Sequence, residues 1–248
     1  MFMKNCILSC VLCFGVLIGC SAKDENIADA PLPELYGKAV GFYENKNYKK
    51  SIEFFQAVER QYPYDQWTIR AQLMIGYLQY LKRDYLDAIN SFKLFVELNP
   101  YHAEVPYALY MLGMSHYQQL SIIQRDQSAA KEGLEYFDMI QVGYPGSIYA
   151  SDAQLKIKII QDHLAGKHVD IARFYLKNRS YDAAISRLLE AITVFPNAEH
   201  IPEAKWRLVE AYEHLGLQAQ ARAMAQNLLK NHPKTTWGDH AKRFVNGS

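Results

Sequence analysis

Small and apolar residues recur at fixed distances upstream of five prolines, Pro63, Pro100, Pro145, Pro196 and Pro233. Twelve residues before each stands a small residue: Ser51, Ala88, Gly133, Ala184 and Ala221. Eight before stand Phe55, Phe92, Phe137, Leu188 and Ala225, and five before stand Val58, Phe95, Ile140, Ala191 and Leu228. Steps of four and three residues keep these positions on one helix face. Proline cannot continue a helix and pushes its predecessor toward extended geometry, so each one marks a stop. Twenty-four residues upstream sit Ala39, Gly76, Ala172 and the larger Val209; Gly113 joins them if the third unit carries an eight-residue insertion. The pattern predicts helices over 34–45, 48–61, 67–81, 85–98, 104–119, 128–142, 149–177, 181–194, 201–215 and 217–231, with a short cap over 235–245. Asn47, Asp84 and Ser180 stand at turns inside the pairs, where their side chains would cap the second helix. From Tyr149 to Asn178 the only breaker is Gly166. A continuous helix there would run about 45 Å; a break at Gly166 is the alternative, since glycine costs about 1 kcal/mol in a helix interior.

Small residues at a helix crossing, a large residue in the second helix and a closing proline form the tetratricopeptide signature. The expected fold is therefore an all-α superhelix of about five helix-turn-helix units, with a long helix in unit four. The proline intervals are 37, 45, 51 and 37 residues, against a regular unit of roughly 34, so the array is irregular. Units one to three occupy 34–145, and units four and five with the cap occupy 146–248. Stacked units of this kind present an extended concave face suited to peptides or helices.

The N-terminus reads differently. Lys4 precedes an apolar run from Cys6 to Ile18, too short for the roughly 20 residues that span a bilayer. A basic start, a short apolar core and a small residue before the cut make residues 1–19 a secretory signal peptide. Leu17-Ile18-Gly19-Cys20 is a lipobox pattern, which makes Cys20 the expected lipidation site and the membrane anchor. Ser21, rather than Asp, follows the cysteine and favours sorting to the outer membrane. Residues 20–33 are polar, end in Pro31-Leu32-Pro33 and read as a lipidated tether. Cys6, Cys10 and Cys13 leave with the signal peptide, so the mature chain has no free thiol for a disulfide or thiolate metal site.

Charge then narrows the partners. Without Lys4, the 27 basic residues become 26, equal to the 26 acidic ones. No basic stripe appears, so nucleic acid is not an expected partner. There is no phosphate loop, dinucleotide fingerprint, serine-hydrolase elbow or helical zinc pair; His163 and His168, five apart, fall on different helix faces. No enzyme, cofactor or metal site is expected. Aromatic content is the feature left over, with 18 Tyr and 11 Phe. Tyr36, Tyr43, Tyr77, Tyr80, Tyr107, Tyr110 and Tyr117 fall on the first helices of units one to three. Some pack between units, and the rest are candidates for an aromatic groove.

Local runs add a resemblance. These are Gln61-Tyr62-Pro63-Tyr64, Leu98-Asn99-Pro100-Tyr101-His102, Tyr107-Ala108-Leu109-Tyr110-Met111-Leu112-Gly113, Arg125-Asp126-Gln127, and Gly143-Tyr144-Pro145-Gly146-Ser147 followed by Tyr149 and Asp152-Ala153. With the lipobox and tether, nearly the whole chain resembles the BamD family, tetratricopeptide lipoproteins of the outer-membrane β-barrel assembly machine. The resemblance implies a non-catalytic scaffold, lipid-anchored on the periplasmic face of the outer membrane. It implies that the C-terminal units bind the polypeptide-transport domains of BamA, and that the N-terminal units receive C-terminal segments of unfolded outer-membrane proteins. Accessory Bam lipoproteins would be further partners. Arg187, nine residues before Pro196, matches an arginine that couples the family to BamA. A pilotin-type tetratricopeptide lipoprotein that assists secretin assembly is the alternative; its more regular units fit the 45- and 51-residue intervals less well.

Overall fold

A computed structural model describes residues 27, 30–120 and 127–247. The signal peptide 1–19, Cys20, most of the tether 20–33 and Arg125-Asp126 lie outside the described residues. The helices are α1 (Leu32–Glu44), α2 (Tyr48–Gln61), α3 (Gln66–Leu81), α4 (Tyr85–Leu98), α5 (Val105–Tyr117), α6 (Ser128–Gly143), α7 (Ala150–Lys177), α8 (Tyr181–Val194), α9 (Ile201–His214), α10 (Gln218–Asn231) and α11 (Thr236–Gly247). Among the described residues the regular structure is entirely helical, as the proline-spaced pattern predicts. Consecutive helices pack as antiparallel pairs. First helices also touch across units, α1 on α3, α3 on α5, α5 on α7, α7 on α9 and α9 on α11, whereas second helices do not touch one another. The array therefore curves toward its first helices, which line the inner face.

The small residues matter because they let rings in. A Cβ on Gly76 would meet the Phe92 ring at 2.9 Å, and one on Gly113 would meet Phe137 at 2.6 Å. This close approach confirms that Gly113 takes the small position of unit three and that the insertion lies between α5 and α6. Ala39 and Phe55 share one buried cluster, as do Ala172 and Leu188. In unit five the volumes are exchanged, and buried Val209 shares its cluster with buried Ala225. Total volume is conserved while the large partner moves to the other helix, a swap that cores tolerate.

Two kinds of turn alternate. Tyr62, Asn99, Tyr144, Phe195 and His232, each just before a proline, share φ between −138° and −124° and ψ between 49° and 56°. Each ends its helix by donating to the carbonyl four residues back, at 2.8–3.0 Å. Among the described residues, the turns inside the first, second, fourth and fifth pairs are Schellman closures. Lys46, Arg83, Arg179 and Gly216 carry φ of 57°, 66°, 58° and 73°. The next residue's N–H reaches back five positions, as in Asn47 to the Phe42 carbonyl at 2.8 Å and Leu217 to the Tyr212 carbonyl at 2.8 Å. The predicted side-chain caps hold only at Asn47, which accepts from Lys50 N. Asp84 and Ser180 make no cap bond, and Asp84 pairs with Lys82 Nζ at 2.6 Å instead. The Schellman backbone bonds already set these turns, so the cap is dispensable.

α7 is unbroken, and Gly166 is buried within it. Ile157, Ile160 and Leu164 of its first half join the cluster built on α3–α6, while Val169 and Ala172 join that of α8 and α9. One continuous helix thus belongs to both ends of the array. Among the described residues no helix is long and apolar enough to cross a membrane.

Candidate functional site

The seven predicted tyrosines are all half-buried and pack against the hydrophobic clusters of units one to three. Tyr43 approaches Tyr77 across the first two units, at 6.4 Å between ring centroids. Tyr107 lies 5.7 Å from Tyr149, and Tyr110 stacks on Tyr149 at 5.1 Å. Tyr36 meets Phe55 and Trp67 edge-on, at 5.2 and 4.6 Å. Such edge-to-face and offset arrangements are the favoured ones for aromatic pairs. Tyr80 accepts from Gln118 Nε2 at 3.1 Å, and Lys156 lies over the Tyr117 ring at 5.0 Å.

Tyr36, Tyr107 and Tyr149 converge on a cleft of about 560 Å³ between the first helices of units one to three. Ile69, Leu73 and Met74 supply its apolar floor, and Gln66, Arg70, His102 and Glu104 supply polar groups. Arg70 sits over the Trp67 ring at 5.3 Å. Burial pushes the Tyr107 hydroxyl well above the usual phenol range, helped by Tyr77 and Tyr149 nearby. Burial raises Tyr110 as well, and its bond to Asp152 adds to the effect. Both remain protonated donors at any physiological pH. Tyr110 spends its proton on Asp152 Oδ2 at 2.7 Å, which ties α5 to the start of α7. Of the seven, Tyr36 and Tyr107 line the cleft; Tyr43 and Tyr77 form the adjoining ring contact, and Tyr80, Tyr110 and Tyr117 bind neighbouring units together.

Sequence reasoning missed Tyr149 and Arg70 as groove residues. Tyr149 was legible in principle, because a residue opening the fourth unit must abut the third. It also missed the inner face of the C-terminal half. There Arg173 Nε and Nη2 donate to Glu203 at 2.8 and 2.5 Å, and Arg207 Nε donates to the same carboxylate at 3.3 Å. Asp170 pairs with Arg173, Glu210 accepts from Arg207 and from Trp206 Nε1, and Arg207 lies over Trp237 at 5.3 Å. Burial alone would raise the Glu203 pKa, but the bonds and charges of Arg173 and Arg207 outweigh it and hold the carboxyl below its usual range. Arg187 stands apart, half-exposed on α8, with Nη1 3.1 Å from Glu190 Oε2. The same oxygen lies 3.3 Å from His168 Nδ1. Burial lowers the His168 pKa, Glu190 opposes the shift, and Arg187, Lys131 and Lys167 reinforce it. Among the described residues there is no cluster of three or more metal-ligating side chains.

Residues 28–237 match the YfiO family, described as an outer membrane lipoprotein. The chain belongs to this family. Known members carry the name outer membrane protein assembly factor BamD. The Rickettsia prowazekii protein is 36% identical over 96% of both chains. That of Caulobacter vibrioides is 34% identical over 96% of this chain and 80% of its own, and that of Vibrio cholerae is 29% identical over 87% and 93%. Among solved structures the chain is similar to the TPR2AB domain of yeast Sti1, with a TM-score of 0.44 at 14% identity, covering 87% of this chain and 83% of that one. It is likewise similar to the TPR domain of P58(IPK), with a TM-score of 0.46 at 12% identity, covering 87% and 56%. As a BamD-family member the chain is an outer-membrane protein assembly factor and a scaffold rather than an enzyme. The family match leaves the pilotin alternative without support.

Proposed function

We propose that this chain is the lipid-anchored scaffold of the β-barrel assembly machine, held at the periplasmic face of the outer membrane through Cys20. Units one to three receive the C-terminal segment of an unfolded outer-membrane protein, and units four and five hold the polypeptide-transport domains of BamA, with accessory Bam lipoproteins as further partners. The observation that carries the substrate arm is the cleft between Tyr36, Tyr107 and Tyr149. Outer-membrane strands alternate apolar and polar residues and carry aromatic girdles. A tyrosine-rich cleft suits many such segments, because a ring takes apolar contact on its faces while its hydroxyl keeps a hydrogen bond. Arg70 and Glu104 add one charge of each sign, which orients an extended segment without demanding one sequence. For the BamA arm, Arg187 offers a half-exposed guanidinium paired with the exposed Glu190, an ion pair a partner carboxylate displaces at small cost.

The test is purification of the membrane-anchored protein in mild detergent, with mass spectrometry of what accompanies it. Recovery of a polypeptide-transport/β-barrel protein, lost on Arg187→Glu with helicity retained, supports the proposal. Recovery of secretin or pilus components, or of the barrel protein undiminished by Arg187→Glu, overturns it. For the cleft, Tyr107→Ala should weaken binding of an aromatic-ended strand peptide about tenfold, the scale of one lost aromatic contact.

A further inference from the structure

The turns between units all fall on one edge of the array, and the turns inside units fall on the other, because consecutive helices run antiparallel. The first of these edges is unusual at its N-terminal end. Tyr64 and Tyr101, each directly after the proline of its turn, are fully exposed. Ile148, in the third turn, is 83% exposed. None of the three first turns carries a lysine or arginine; Asp65 and Glu104 are their charges. The fourth and fifth turns place polar Asn197 and Lys234 where the first two place tyrosine.

The chain enters the fold on this same edge. Gln61 Nε2 donates to the Ile27 carbonyl at 2.7 Å, and the Tyr62 hydroxyl donates to the Ala30 carbonyl at 3.0 Å. Ala30 is buried and Ile27 packs on the core of unit one. Ile27 and Ala30 are thus tied to the end of α2 and the first inter-unit turn, two residues from Tyr64. Cys20 lies seven residues before Ile27, a span of at most about 24 Å. The long helix then separates the turns. The fourth turn meets α7 at its middle, where Asp162 Oδ1 lies 2.7 Å from His200 Nδ1. That contact is twelve residues beyond the start of α7, about 18 Å along its axis. The three apolar-tipped turns stand forward, and the two polar ones are stepped back.

We propose that this edge rests on the phospholipid surface to which the chain is anchored, with Tyr64, Tyr101 and Ile148 seated at the headgroup level. Tyrosine is enriched at that depth because its ring is apolar and its hydroxyl stays wet. With no basic residue in these turns, the contact does not depend on charge and should be insensitive to salt. Units four and five then stand off the surface, leaving space for a protein partner beneath them. The inference rests on anchoring near residue 20, as proposed above.

The test uses the full mature chain on phosphatidylethanolamine/phosphatidylglycerol vesicles with brominated acyl chains that quench a fluorophore on contact. Single cysteines, Tyr64→Cys and Tyr101→Cys, carry the dye, with Lys49→Cys and Asp87→Cys on the opposite edge and Lys234→Cys on the stepped-back turn as references. One set is acylated at Cys20. A second set replaces Cys20 by Ser and is tethered at residue 20 through a histidine tag on nickel-chelating lipid. In both sets fluorescence at positions 64 and 101 should fall about twofold, while positions 49, 87 and 234 change little. Quenching in the tethered set together with failure of the first set to float with vesicles overturns the lipid anchor and supports the edge. Equal quenching on both edges, no quenching at 64 and 101 in the tethered set, or quenching abolished by high salt overturns the edge.

Discussion

The two halves of the inner face solve the same packing problem with different chemistry. Units one to three cover their first helices with half-buried tyrosines that touch one another and leave a cleft. Units four and five lace theirs with a ladder of ion pairs, Asp170–Arg173–Glu203–Arg207–Glu210. Rings contact many shapes and tolerate repacking, whereas a buried carboxylate held by two guanidiniums has one good arrangement. The first kind of surface is physically suited to varied segments. The second holds α7 and α9 at a fixed angle and presents a fixed shape.

The largest effect that would blur this contrast is loss of a ring from the hydrophobic core beneath the tyrosines. Phe137→Ala leaves Gly113 facing a void and should cost about 3–5 kcal/mol in urea unfolding. A cost under about 1 kcal/mol would mean that the glycine–ring fit does not hold unit three together.

Next comes the ladder. Arg173→Ala leaves buried Glu203 with Arg207 alone and should cost about 2–3 kcal/mol at pH 7. The sign of its pH dependence follows from the depressed Glu203 pKa. A carboxyl lowered by folding stabilises above its unfolded pKa, and that stability is lost as pH falls through the folded value. The wild-type advantage over Arg173→Ala should therefore shrink below about pH 4. An advantage that grew on acidification would contradict the ladder.

The smallest effects lie in the turns. Lys46, Arg83 and Arg179 occupy a left-handed conformation that costs a side-chain-bearing residue about 1–2 kcal/mol, partly offset by the chain entropy glycine adds to the unfolded state. Arg83→Gly should gain about 0.5–1 kcal/mol, while Gly216→Ala, at a φ of 73°, should lose a similar amount.

Helix positions were legible because proline and the small–large alternation are local signals. α2, α4 and α8 run over 48–61, 85–98 and 181–194 as their spacing predicts, and the ends of the other helices lie within two residues of their predicted positions. Other features had no local signal. Lys46, Arg83 and Arg179 look like exposed charges, and only the backbone geometry that closes each pair reveals their positive φ. The Arg173–Glu203 bond joins residues 30 apart on different helices, so no sequence window contains it. The tyrosines were legible as a set, but which of them converge depends on the angle between units. That angle brings Tyr36 and Tyr107 together with Tyr149 and commits Tyr110 to Asp152.

The most direct test of the division between halves is photo-crosslinking. A strand peptide of an outer-membrane protein, with a photoreactive group on its last aromatic residue, is bound to the full chain, and the attachment site is mapped by mass spectrometry. Attachment to Met74, Tyr107 or Tyr149 in the tyrosine cleft, abolished by excess unlabelled peptide, is the expected result. Attachment concentrated on α9 or α11, beside Trp206 and Arg207, would contradict it.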